Sequence, residues 1–172
     1  KLYAILPASM DQAPVAGLVD QVILYPDNFR EGRLEEQLAQ VQPQNLVLLP
    51  KQIKDIDLLR ISRLLEGTGA GVMADNVGQL QQKGLMMCGD GVPTWNAETL
   101  AVLAGYGARA VLLSRELRDQ EIRSLPRDIL ELVVPVYGSA QVMQLNHCPE
   151  RLSRNLSRNR AGCRFCERGE GI

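Results

Sequence analysis

Asn45-Leu46-Val47-Leu48-Leu49-Pro50 is an apolar run closed by a proline, and Ala70-Gly71-Val72-Met73-Ala74 is a second such run. Between them lies Asp55-Ile56-Asp57-Leu58-Leu59-Arg60-Ile61-Ser62-Arg63-Leu64-Leu65. Here Ile56, Leu59, Leu64 and their neighbours recur at helical spacing, and Gly67 ends the helix. Continuously apolar strands are buried on both faces, and parallel pairing needs a long connection such as a helix. Residues 45–74 therefore read as strand, helix, strand, and that unit decides the fold.

The rhythm extends in both directions. Towards the amino terminus, residues 2–6 and 19–25 read as strands stopped by Pro7 and Pro26, and residues 34–41 place Leu34, Leu38 and Val41 on one helical face. Beyond the central unit, residues 85–88 form a strand that runs into Gly89-Asp90-Gly91. Asn96 can cap a helix through residue 104, with Glu98 favourable in its first turn. Residues 110–114 and 130–137 read as strands, with a short helix over 118–125 before Pro126. Strands alternating with helices predict an α/β fold with a parallel sheet. A complete (β/α)₈ barrel needs roughly 200 residues or more. With 172 residues, the expected fold is TIM-barrel-like: a trimmed or incomplete (β/α) barrel of about seven short units with a cysteine-rich C-terminal tail. An open doubly wound sheet is the competing architecture. Gly67-Thr68-Gly69-Ala70-Gly71 precedes a strand rather than a helix, and neither a dinucleotide fingerprint nor a Walker loop is present.

In either architecture, ligands meet the carboxyl ends of the strands. That rule gathers Asp75-Asn76, Cys88-Gly89-Asp90, Ser114-Arg115-Glu116 and Tyr137-Gly138 on one rim. Asp90, Arg115 and Glu116 are the candidate catalytic residues, and each reads equally as an ion-pair or capping group. Asn96 is a candidate substrate contact.

Apolar residues make up 45% of the chain and aromatics only 4%, so the core is built from Leu, Val, Ile, Ala and Met. A net charge of −1 gives the whole chain no electrostatic preference for nucleic acid. The charge is unevenly spread, since residues 147–172 carry six arginines against three glutamates. Arg151, Arg154 and Arg158, with Arg160 and Arg164, can hold phosphates of RNA or an anionic small molecule, or can face solvent. Phe165 and Trp95 can stack on a base or simply pack. No run approaches the length of a membrane-spanning helix, and no targeting segment is legible, so a cytoplasmic protein without membrane contact is expected.

Three of the four cysteines and the single histidine fall in this same tail. Cys163-Arg164-Phe165-Cys166 lets two thiolates converge on one metal, and Cys148 can return as a third ligand. The fourth ligand can be Cys88, His147 or a residue of another chain. Spacing alone leaves zinc and an iron–sulfur cluster both open. Idle thiols and a disulfide are the alternatives. A thioredoxin-like role is disfavoured because the pair follows a loop, not a strand leading into a helix. His147 adjoins Cys148, and adjacent side chains are poorly placed for a nucleophile–base pair. The organisation is thus residues 1–140 as a barrel-like α/β domain and residues 141–172 as a cysteine- and arginine-rich metal-binding tail.

Four segments, in order, resemble the collagenase-like peptidase family U32. They are Gly78-Gln79-Leu80 after Asp75-Asn76; Gly89-Asp90 followed by Asn96; Leu113-Ser114-Arg115-Glu116-Leu117 with Glu121-Ile122; and Val136-Tyr137-Gly138, Val142-Met143, His147-Cys148-Pro149 and Arg160-Ala161-Gly162-Cys163-Arg164-Phe165-Cys166. The resemblance covers residues 70–168 and is closest to the branch that hydroxylates a ribosomal RNA cytidine. It implies a barrel-like fold and a cysteine-held iron–sulfur cluster of the 4Fe-4S type, with Cys148, Cys163 and Cys166 as ligands. It also implies hydroxylation of RNA or another aromatic substrate without molecular oxygen, although the family name denotes a peptidase. Val92-Pro93-Thr94-Trp95-Asn96 stands where the family more often has a leucine-asparagine run. Many members supply a further cysteine beyond the position of Ile172, so here the fourth ligand falls to Cys88, His147 or a partner chain. Two further expectations stand beside this one: a non-catalytic, metal-stabilised module of a larger assembly, and a partner chain that completes the barrel.

Overall fold

The computed structural model describes residues 1–30 and 32–139. Cys148, Cys163, Cys166, His147, Arg151, Arg154 and Arg158, named above as candidate ligands and contacts, lie outside the described residues. Within the unit Lys1–Val136, the order is β1 (Tyr3–Pro7), α1 (Ala13–Ala16), β2 (Gln21–Tyr25), α2 (Arg33–Leu38), β3 (Leu46–Leu48) and α3 (Asp55–Leu65). It continues with β4 (Gly71–Ala74), a single 3₁₀ turn (Val77–Gln79), β5 (Leu85–Cys88), α4 (Ala97–Gly105), β6 (Ala110–Leu112), α5 (Asp119–Ser124) and β7 (Glu131–Val133).

The seven strands form one sheet in the order of the sequence, and every neighbouring pair is parallel. A doubly wound sheet reverses direction at a switch point. This sheet never reverses, so the doubly wound alternative is overturned. Successive crossovers of one hand and one direction deposit their helices on a single face.

The side chains follow from that placement. On the helix side, Val22, Leu24, Val47, Leu49 and Val72 pack with Leu34 and Leu38 of α2 and Ile61 and Leu65 of α3. Ala74, Leu85, Cys88, Val111 and Leu113 pack with Leu100 and Leu103 of α4. The opposite face gathers Ile23, Leu46, Met73, Met87, Ala110 and Leu112, with Tyr3, Leu48 and Val133 against them. All seven strands contribute to this inner cluster, as a sheet curled around its own concave face requires.

The curl brings the first and last strands within side-chain reach. The Tyr3 hydroxyl donates to Glu131 Oε1 at 2.7 Å, and Lys1 Nζ donates to Glu131 Oε2 at 2.6 Å. The Lys1 bond, and after it the Tyr3 hydroxyl, hold the Glu131 carboxyl below its usual range. Burial and the same carboxylate raise the Tyr3 phenol. The sheet order does not pair β1 with β7, so these side-chain bonds link two strands that share no backbone ladder.

Two sequence expectations need correction in detail, and one register shift interrupts the sheet. Ile56 and Leu59 were placed on the apolar face of α3, yet both are exposed. The buried line runs through Ile61 and Leu65 with Leu58 and Leu64 alongside, and Ile56 and Leu59 fall on the opposite side of the turn. The last strand ends at Val133 rather than reaching residue 137, because Pro135 has no N–H to extend the ladder. Finally, β4 and β5 shift register between Val72 and Met73, so Val72 faces Leu85 while Met73 faces Met87. Among the described residues no helix is long and apolar enough to cross a membrane.

Candidate functional site

The carboxyl ends of β3, β4, β5 and β6 bring four charged side chains together. Lys51 follows β3, Asp75 follows β4, Asp90 follows β5 and Arg115 follows β6. Asp90 stands between the two cations: Lys51 Nζ lies 3.2 Å from its Oδ1 and Arg115 Nε lies 3.3 Å from its Oδ2.

Two carboxamides, one buried and one half-buried, hold the loops that carry these groups. Gln79 is almost fully buried, donates from Nε2 to the Pro50 carbonyl at 2.7 Å and accepts at Oε1 from the Asp75 N–H at 2.8 Å. Asn76 Nδ2 donates to the Lys51 carbonyl at 2.7 Å. Two backbone carbonyls of one loop are thereby fixed by side chains of the next, and backbone groups away from water need such partners.

Two glycines make room for the charges. A Cβ on Gly89 would lie 2.3 Å from Asp75 Oδ1. A Cβ on Gly91 would lie 2.0 Å from the Asp75 carbonyl oxygen and 2.4 Å from Lys51 Cε. The Gly89-Asp90-Gly91 turn therefore owes its glycines to close approach of neighbouring groups. The Gly91 N–H donates to Asp75 Oδ1 at 2.9 Å.

Burial raises the Asp75 carboxyl above the ordinary aspartate range; the Gly91 N–H and Lys51 oppose this, and Asp90 adds to it. A carboxyl raised by burial holds its proton more tightly, which suits a group that passes a proton at a rim. Lys51 and Arg115 carry several N–H donors each, and Asp90 engages few of them.

The remaining candidates are distributed differently. Glu116 is exposed; its backbone N–H donates to Ser114 Oγ at 3.3 Å, and no hydrogen bond among the described residues joins its carboxylate to the cluster. Asn96 caps α4, its Oδ1 accepting from the Thr99 N–H at 2.9 Å and the Thr99 hydroxyl at 2.8 Å. Its side chain is thus occupied by the helix, and a substrate contact is not needed to explain it.

Cys88 is wholly buried in the layer between β5 and α4, and burial pushes its thiol up to about 11. A metal ligand must be a thiolate, and this environment opposes ionisation. In this arrangement Cys88 packs as a small apolar group beside Leu100 and Leu103. Among the described residues no three His, Cys, Asp or Glu side chains converge as a metal-binding group.

Sequence reasoning missed Lys51, and it named Gln79 only within the Gly78-Gln79-Leu80 stretch, without a role. The signal for Lys51 was present, because it directly follows an apolar strand and Pro50, by the same rule that singled out Asp75 and Asp90. Gln79 gives no comparable signal, since its role depends on the Pro50 carbonyl of another loop.

A cavity of about 580 Å³ lies at the other end, near the amino ends of β2 and β3, lined in part by Asp20, Gln21, Gln42 and Asn45. Its polar groups bond to one another: the Gln42 N–H donates to Asn45 Oδ1 at 2.7 Å, and Gln21 Nε2 donates to the Gln44 carbonyl. Residues at that end of a barrel serve stability, whereas chemistry collects at the carboxyl rim. The rim, where four charged side chains converge, is the better candidate. No family model, curated protein or solved structure matches the chain.

Proposed function

We propose that the protein is an iron–sulfur-dependent hydroxylation factor of the collagenase-like peptidase family U32, built on an incomplete (β/α) barrel whose carboxyl rim receives RNA or another aromatic substrate. The convergence of Lys51, Asp75, Asp90 and Arg115 supports a site at that rim. Support for the chemistry comes from the sequence motif of Cys148, Cys163 and Cys166. A cluster held by these thiolates supplies electron transfer when bound. The described residues contribute other tasks: Lys51 and Arg115 attract anionic groups, and the Asp75 carboxyl, raised by burial, lies beside them.

Cys163→Ala in the full chain tests the reading. We expect the variant to keep the urea midpoint of the wild-type strand-and-helix unit while losing the added oxygen on its substrate. Mass spectrometry of RNA nucleosides and aromatic quinone precursors from producing cells reads that oxygen. Unfolding of the variant, with no hydroxylated product from the wild type, would instead favour a metal-stabilised module without catalysis. Cleavage of peptides that survives loss of iron would favour the peptidase activity of the family name.

A further inference from the structure

We infer that Lys51 and Arg115 form a binding site for an anionic group, phosphoryl or carboxylate, with Asp90 as an internal placeholder that the ligand displaces. The inference rests on the reading of the carboxyl rim as the substrate mouth and names what that mouth takes.

Three observations carry it. The first is the looseness of the pairs at Asp90. Its contacts measure 3.2 and 3.3 Å, whereas Lys1–Glu131 closes to 2.6 Å and Arg60 grips Glu35 with two bonds of 2.7 and 2.6 Å. Charge-assisted hydrogen bonds normally contract to about 2.7–2.9 Å. Asp90 spans both cations without closing on either.

The second is the balance of charge. One carboxylate serves two cations, and the next carboxylate, Asp75, is turned to the Gly91 N–H. An incoming anion thus meets two cations that share a single ion-pair partner. The guanidinium of Arg115 matches a planar carboxylate or a phosphoryl group in two-point geometry, and Lys51 adds a point charge.

The third is preorganisation. The Lys51 stem lies where only a glycine at position 91 admits it, and Asn76 and Gln79 fix the backbone on either side of the Pro50–Lys51 peptide. The side chains of Lys51, Arg115 and Asp90 nevertheless remain 33%, 41% and 28% exposed, so a solute reaches them. A site whose backbone is fixed and whose charges stay accessible loses little ordering entropy on binding.

The test is a titration of the full chain with inorganic phosphate, and separately with acetate, at constant ionic strength in chloride. The readout is the amide resonances of Lys51, Gly89, Gly91 and Arg115. We expect saturable shifts at these amides. Asp90→Asn removes the competing charge and tightens binding about tenfold, the sum of two weak partly exposed pairs. Lys51→Gln and Arg115→Gln each weaken it about tenfold or more.

Saturation by phosphate alone would assign a phosphoryl group, and saturation by both would include carboxylates. Saturation by neither overturns the inference, as does Asp90→Asn that binds no tighter. If Asp90→Asn fails to fold, the wild-type titration and the two glutamine variants decide: unchanged binding in either variant overturns the site. Because the readout needs neither iron nor turnover, the two proposals fail separately. Iron-free protein that binds phosphate keeps the anion site and loses the hydroxylation reading. Iron-loaded protein that does not bind loses only the anion site.

Discussion

Ile23→Ala is expected to destabilise the strand-and-helix unit by about 2–5 kcal/mol, read from the urea midpoint. Ile23 is fully buried in β2, facing Ile5 on one side and Leu46 on the other. It belongs to the inner cluster that draws side chains from all seven strands. Truncation there removes apolar area and leaves a void that the curled sheet cannot collapse around, because both neighbouring strands are hydrogen-bonded in register. A flat sheet with one solvated face would tolerate the change. Leu59→Ala is the matching control, since Leu59 is 53% exposed on α3 and its loss should cost within about 0.5 kcal/mol. Equal effects of the two substitutions would contradict an enclosed inner face.

Gly91→Ala is expected to lower stability by about 1–3 kcal/mol and to remove anion binding at the rim. The added methyl group would lie 2.0 Å from the Asp75 carbonyl oxygen, a backbone atom that cannot swing aside. It would also lie 2.4 Å from Lys51 Cε, so Lys51 must leave its place beside Asp90. The cause is space rather than backbone conformation, because Gly91 is not among the glycines of positive φ. Gly105→Ala separates this from a general effect of alanine. Position 105 closes α4 with open space around it, and alanine there should be neutral or stabilising by up to about 1 kcal/mol. Wild-type stability and phosphate titration in Gly91→Ala would show that the rim loops are not packed as described.

How much of this was legible in the sequence depends on the range of the forces involved. The bounds of α3 and β5 were readable to the residue, because an amphipathic run ended by a glycine and a bounded apolar run are local signals. The Asn96 cap was readable for the same reason, since its bond to Thr99 spans three residues. Parallel pairing followed from strands apolar on both faces. The orientation of α3 was misread at Ile56 and Leu59, because an apolar residue on a helix names a possible face and only the neighbouring layer selects it.

At the candidate site, Asp90 and Arg115 were found by the rule that chemistry gathers at carboxyl ends, and they do meet. Glu116, one residue further, is exposed and no described hydrogen bond links its carboxylate to them. Cys88 ends β5 as the sequence indicated, and alternation along the strand turns its side chain into the buried helix layer, which no local pattern specifies. The latch of Lys1, Tyr3 and Glu131 joins residues more than a hundred positions apart and depends on the curl itself, so no local pattern announces it.

The most direct test of the proposed chemistry is iron and acid-labile sulfide analysis, with a visible absorption spectrum, on the full chain purified without oxygen. The account predicts coloured protein with about four irons and about four sulfides per chain, bleached by reductant. Colourless protein with one zinc per chain, or with no metal at all, would contradict it.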